Sequence, residues 1–189
     1  MESLALCFFA ALILNLLLGF GLGTREMISR EREPALYNYY PWGVLFLVTA
    51  VLALFFLHIP FLRRFEYFLI FPLAVTGGRG AEYLLFTFVL RGREDPRIFK
   101  TVSGYSALLP ASLYLTLAFA VTTADALLLA FSLSAGGLAA FLAVKEIQKR
   151  SFLESIPYGL RGAPLVLISM GLLSLILSSA AVLILRMLR

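Results

Sequence analysis

Apolar residues run along this chain in long blocks, broken by short charged stretches. Neither the two-residue alternation of a half-buried strand nor the single apolar stripe of a soluble helix describes them. A helix needs about 20 mostly apolar residues to cross a hydrocarbon core. Six blocks approach or meet that length: Ser3–Leu22, Trp42–Leu62, Phe65–Leu90, Gly104–Val121, Ala126–Val144 and Ala163–Leu185. An isolated strand cannot satisfy its backbone groups in lipid, so each block is read as a helix. The expected fold is an all-α integral membrane protein with six transmembrane helices, forming a single membrane domain over residues 1–189. Tyr39, Tyr40 and Trp42 stand where the second block begins and are expected to form an interfacial aromatic belt.

Basic residues gather in alternate loops. Arg25, Arg30 and Arg32 follow the first block, Arg91, Arg93, Arg97 and Lys100 the third, and Lys145, Lys149, Arg150 and Arg161 the fifth. The other side keeps only Arg63, Arg64, Arg186 and Arg189. The positive-inside rule then puts the three basic loops in the cytoplasm and both termini outside, in a cell inner membrane. Six spans divide into two halves of three, 1–100 and 101–189, and an odd number per half inverts one half relative to the other. The match of Gly77-Gly78-Arg79-Gly80-Ala81 to Gly159-Leu160-Arg161-Gly162-Ala163 does not mark that repeat. It would leave only Ala81–Leu90 to cross before the charges, which is too short.

Composition agrees with lipid as the solvent. The chain is 61% hydrophobic and 14% charged, with mean hydropathy +0.93, against about half apolar and a quarter charged in soluble domains. The net charge of +5 belongs to the loops and implies no nucleic-acid partner. The single Cys7 excludes an intrachain disulfide and a cysteine-only metal site within the chain. Met1–Gly23 lacks a basic leader and a small-x-small cleavage site before a soluble domain, and reads as a retained first span.

Few residues bear chemistry. Arg79 and Glu82 lie inside the third block, three apart and therefore on one side of a helix. Arg79 is twelve residues from Arg91, roughly 18 Å along a helix. Charges at such depth mark a functional path or a buried structural pair. In the first block, Asn15 precedes Gly19, Gly21 and Gly23. Glycines at every second position favour either a break near that end or close packing between helices. Asn15, Arg79 and Glu82 are the candidates for an ion path. Pro110 in the fourth block, with Ser112, Tyr114 and Thr116 after it, points to a kink steadied by hydroxyls. His58 reads as an interfacial residue and Cys7 as a small packing residue. No phosphate-cradling loop, nucleophile–base set or metal-spaced cluster appears, so no catalytic residue is assigned.

The stretch Val144–Leu177 carries a family pattern: Ile156-Pro157, Leu160-Arg161-Gly162, Leu167-Ile168 and Gly171-Leu172-Leu173-Ser174-Leu175, preceded by Ala130-Phe131-Ser132 and Gly136. Upstream, Leu22-Gly23, Leu109-Pro110 and Glu82 extend it. These residues resemble the six-span membrane subunits of the Rnf and Na⁺-pumping NADH:quinone oxidoreductase (Nqr) complexes, above all the Rnf A and Nqr E type. The resemblance implies a subunit of a redox-driven, ion-translocating electron transport complex. It also implies a homologous six-span partner of opposite orientation, other redox subunits, and a [2Fe–2S] cluster shared between the two homologues. In that family a Leu-Gly-x-Cys-Pro sequence and an Asn-Cys pair supply ligands. Here those cysteine positions fall on Arg25 and Thr116, with Leu115 in place of the Asn. Arginine cannot ligate iron as a thiolate does, and threonine is a poor substitute. The expectation is therefore a non-catalytic scaffold or ion-path subunit with no cofactor of its own. A stand-alone ion-coupled transporter and a purely structural assembly subunit are the alternatives.

Overall fold

The computed structural model describes residues 10, 11, 15, 18, 22, 35–59, 61, 64–88, 107–151, 157 and 163–187. Within its helices the side chains of 35–40, 82, 85, 86, 88, 151, 163, 181 and 184–187 lie outside the description. The described chain is all-helical. Its helices are α1 (Ala35–His58), α2 (Glu66–Phe88), α3 (Leu108–Phe119), α4 (Thr123–Ser151) and α5 (Ala163–Met187). They correspond to the second to sixth apolar blocks. Most of the first block lies outside the described residues, with Ala10, Ala11 and Leu18 helical and Asn15 not. Two helices, α1 over Pro41–His58 and α4 over Thr123–Arg150, are long and apolar enough to cross a membrane.

Helix ends follow from local chemistry. α1 turns into α2 over a short connection, where the Phe65 carbonyl accepts from the amides of Phe68 (3.1 Å) and Leu69 (3.0 Å). α3 stops at Ala120, whose backbone is extended and whose N–H donates to the Thr116 carbonyl at 2.9 Å. α4 then starts with a reciprocal cap. The Thr122 hydroxyl oxygen accepts the Asp125 amide at 3.1 Å, while Asp125 Oδ2 accepts the Thr122 amide at 3.1 Å. This satisfies two donors that a helix N-terminus otherwise leaves open.

α1 is the hub of the bundle. It packs against α2, α3 and α4, while α5 packs on α4. The core joins Val44, Val48 and Phe56 of α1 to Leu109 and Leu113 of α3 and Leu129, Leu133 and Phe141 of α4. Two sequence expectations sharpen here. Trp42 turns inward rather than outward: it is 3% exposed, its ring over Gly137 and 6.2 Å from the Phe141 ring. A Cβ on Gly137 would meet that indole, so the missing side chain is what admits it. Pro110 is no mid-helix kink either. It is the third residue of α3 after the cap Ala107, within the first turn, where a backbone N–H has no helical partner to lose.

The outer surface carries large apolar side chains on every long helix. Phe55 of α1, Phe68 and Phe71 of α2, Phe131 of α4 and Leu175 of α5 are all exposed. Inside, Asn15, Thr49, Ser112, Thr116, Ser132 and Ser134 are buried.

Candidate functional site

The buried polar groups lie where helices touch. Asn15 docks the first segment onto the middle of α4. Its Nδ2 donates to the Gly136 carbonyl at 2.9 Å and to the Ala11 carbonyl at 3.3 Å. Its Oδ1 accepts the Leu18 amide at 3.3 Å. One side chain thus serves a backbone group on each side of the non-helical Asn15 and ties this segment to α4. The pattern resembles an N-cap set inside an apolar segment, where no water is at hand to take those bonds. Gly136 makes the approach possible: an added Cβ would sit 2.5 Å from the Ala11 oxygen. Asn15 itself is not helical, and the glycines where a break was expected, Gly19, Gly21 and Gly23, lie outside the described residues.

A second polar contact joins α1 to α3. Thr49 Oγ1 and Ser112 Oγ are 2.8 Å apart, both buried. The Ser112 hydroxyl also lies 2.9 Å from the Leu109 carbonyl, and the Thr116 hydroxyl donates to the Ser112 carbonyl at 2.8 Å. On α4, Ser132 and Ser134 donate to the carbonyls of Leu128 and Ala130, four residues back. Such back-bonding lets hydroxyls occupy an apolar interior without stranding a donor.

The family cluster positions are not brought together as a described pair. Thr116 is fully buried with its hydroxyl engaged on Ser112, and Arg25 lies outside the described residues. Cys7 is likewise outside them. Among the described residues no group of three His, Cys, Asp or Glu side chains lies close enough to hold a metal ion. His58 ends α1, exposed, with Nδ1 2.9 Å from the Leu54 carbonyl.

The ion-path candidates also separate. Asn15 is buried against α4, whereas Arg79 is exposed on α2. Its exposed neighbours one turn away are Thr76 and Tyr83. The Thr76 hydroxyl is spent on the Pro72 carbonyl at 2.7 Å. Glu82 lies in α2 but its side chain is outside the description, so the expected Arg79–Glu82 pair is outside it too. On the neighbouring side of α2, Gly77, Gly80 and Ala81 leave an apolar groove of about 420 Å³ against Leu47, Val48 and Val51 of α1. Beyond the apolar part of α4, Arg150 Nε donates to Glu146 at 3.1 Å, and Lys145 Nζ stands 5.7 Å from the centre of the Phe141 ring.

Sequence reading missed the contacts made by Trp42, Thr49 and Gly136. The Gly136-Gly137 doublet was the visible signal, because two adjacent glycines in a helix interior cost stability unless something packs against them. No protein-family model matches the chain, and no functionally curated protein matches it.

Proposed function

We propose that this chain is an integral membrane subunit of a redox-driven, ion-translocating electron transport complex of the Rnf/Nqr kind, serving as scaffold and ion path without an iron–sulfur cluster of its own. The observation that carries the reading is the absence of cysteine at Arg25 and Thr116 within a chain that otherwise keeps the family-like Leu22-Gly23, Leu109-Pro110 and Leu160-Arg161-Gly162 residues. Membrane residence is supported by the exposed Phe and Leu side chains on the long helices, over an interior of back-bonded hydroxyls. A water-soluble bundle has the opposite arrangement, with polar residues on its outer face.

Six crossings in two inverted halves belong to the same proposal. Its support is a crossed pattern of contacts. The first segment of the first half leans on α4 through Asn15 and Gly136, and the first helix of the second half, α3, leans on α1 through Ser112 and Thr49. Halves related by a two-fold axis in the membrane plane exchange contacts in this way. The central pair, α1 and α4, are then equivalent second helices. Both termini lie outside and the basic loops lie in the cytoplasm.

A stand-alone transporter would need Arg79 to line an internal route, and its outward exposure on α2 argues for the subunit reading. A guanidinium facing lipid at mid-bilayer costs about 2.5–3.5 kcal/mol on insertion scales, so an outward Arg79 asks for a neighbouring chain. The test is to purify the chain with its membrane partners and record absorption and EPR spectra. The expected result is redox subunits in the same complex and no iron–sulfur signal that depends on this chain. A cluster signal lost when this chain is removed and restored with it would overturn the cluster-free claim.

A further inference from the structure

We propose that the outward face of α4 binds one anionic phospholipid at the cytoplasmic boundary, with Lys145 and Lys149 holding the headgroup phosphate and an acyl chain lying along Leu142, Leu138 and Phe131. The inference rests on the membrane residence and orientation argued above. Depth gives the first observation. No charge interrupts α4 between Asp125 and Lys145. At a rise of 1.5 Å per residue that separation is about 30 Å, the thickness of a hydrocarbon core. Lys145 therefore stands at the edge of the core, and Lys149, one turn on, about 6 Å further out in the headgroup layer.

The second observation is the face itself. Phe131, Ala135, Leu138, Leu142, Lys145 and Lys149 follow one another at alternating spacings of four and three residues, and so share one side of the helix. Phe131, Leu142 and Lys149 are exposed, whereas Leu129, Leu133, Val144 and Gln148 on the opposite side are buried. An apolar stripe thus ends on two lysines. The third observation is charge. Arg150 Nε holds Glu146 at 3.1 Å, so the one acid in this turn is spent, and Lys145, Lys149 and Arg150 leave it a net charge of +2. Lys145 Nζ stands 5.7 Å from the centre of the Phe141 ring, which steadies it at this level. A zwitterionic headgroup would set its own cation beside these lysines, while a phosphodiester without that cation matches them. An acidic peptide or a free phosphate would meet the charge but not the stripe below it. A lipid brings an anion and a long apolar chain in one molecule.

The full chain is purified in mild detergent and titrated with phosphatidylglycerol or with phosphatidylcholine of the same acyl chains. Native mass spectrometry counts the lipids bound to the 20.9 kDa chain. Phosphatidylglycerol is expected to bind several-fold tighter, since each lysine near an anionic headgroup contributes roughly a five-fold preference. Lys145→Gln with Lys149→Gln should remove that preference and leave phosphatidylcholine binding unchanged. Lys149→Gln alone, at an exposed position, should lose part of it. Arg63→Gln with Arg64→Gln takes the same charge from the opposite side of the membrane and should leave the preference intact. Excess inorganic phosphate should not displace the lipid. Equal binding of the two lipids, no loss in the lysine variants, the same loss from both double variants, or displacement by phosphate would overturn the proposal. The chain is also mixed into vesicles of each lipid. A chain that inserts but shows no preference defeats the lipid site alone, whereas a chain that enters neither vesicle defeats the membrane reading.

Discussion

Asn15 and Gly136 tie the first segment to α4. A buried side chain bonded to three backbone groups leaves those groups without partners when it is cut back. Asn15→Ala is expected to lower stability by about 1–3 kcal/mol, read as thermal unfolding in detergent. Gly136→Ala should cost a similar amount, about 1–3 kcal/mol, because its Cβ meets backbone rather than a side chain that can turn away. Gly171→Ala is the matched control. Nothing lies within 4 Å of a Cβ there, so the change should stay within about 0.5 kcal/mol. Equal losses at 136 and 171 would contradict the close approach of the first segment to α4. The sequence marks Asn15 as a polar residue in an apolar run, but not what it touches, since Gly136 lies on a helix far along the chain. The inward turn of Trp42 was illegible for a related reason. Position beside tyrosines and a block boundary favours a belt, while burial was decided by a slot at Gly137 that only tertiary packing creates.

At the scale of elements, α1 and α3 are joined by apolar packing and, among the described residues, by a side-chain hydrogen bond. The 2.8 Å approach of Thr49 to Ser112 should appear in a Thr49→Val, Ser112→Ala double-mutant cycle as a coupling of about 0.5–1.5 kcal/mol, in the range measured for hydrogen bonds between membrane helices. A coupling of zero would assign both hydroxyls to their own helices. The cap before α4 is separate: Thr122→Ala should cost about 0.5–2 kcal/mol, while Thr123→Ala, one residue on, should cost little. The apolar blocks predicted where the five helices lie, because in this chain apolarity and helicity coincide. The ends of blocks and helices differ for a physical reason. Apolarity records depth in lipid, so the fifth block closes at Val144, yet α4 runs on to Ser151. Charged residues continue a helix well when they pair four apart, as Glu146 and Arg150 do. The described part of the fourth block is the 12-residue α3, a length of about 18 Å.

For the whole molecule, α1 and α4 form the centre and the remaining elements lean on them. This arrangement gives the ion-path reading a sharp question. Glu82→Gln removes a charge but keeps the shape of the side chain. In a correctly assembled complex it should slow ion movement; unchanged movement would leave the chain a structural role only. The redox reading comes from residue patterns near Leu22, Leu109 and Leu160, and much of that sequence lies outside the described helices. The helical fold was therefore more legible than any site, because apolarity alone places helices while a site needs side chains that packing brings together.

The central claim is a membrane protein crossing six times with its basic loops inside. It is tested most directly by an impermeant thiol reagent applied to single-cysteine variants in a Cys7→Ser background. Phe61→Cys and Thr123→Cys should label from outside intact cells, whereas Thr101→Cys and Glu154→Cys should label only after the membrane is opened. Labelling of Thr101→Cys and Thr123→Cys from the same side would contradict the account.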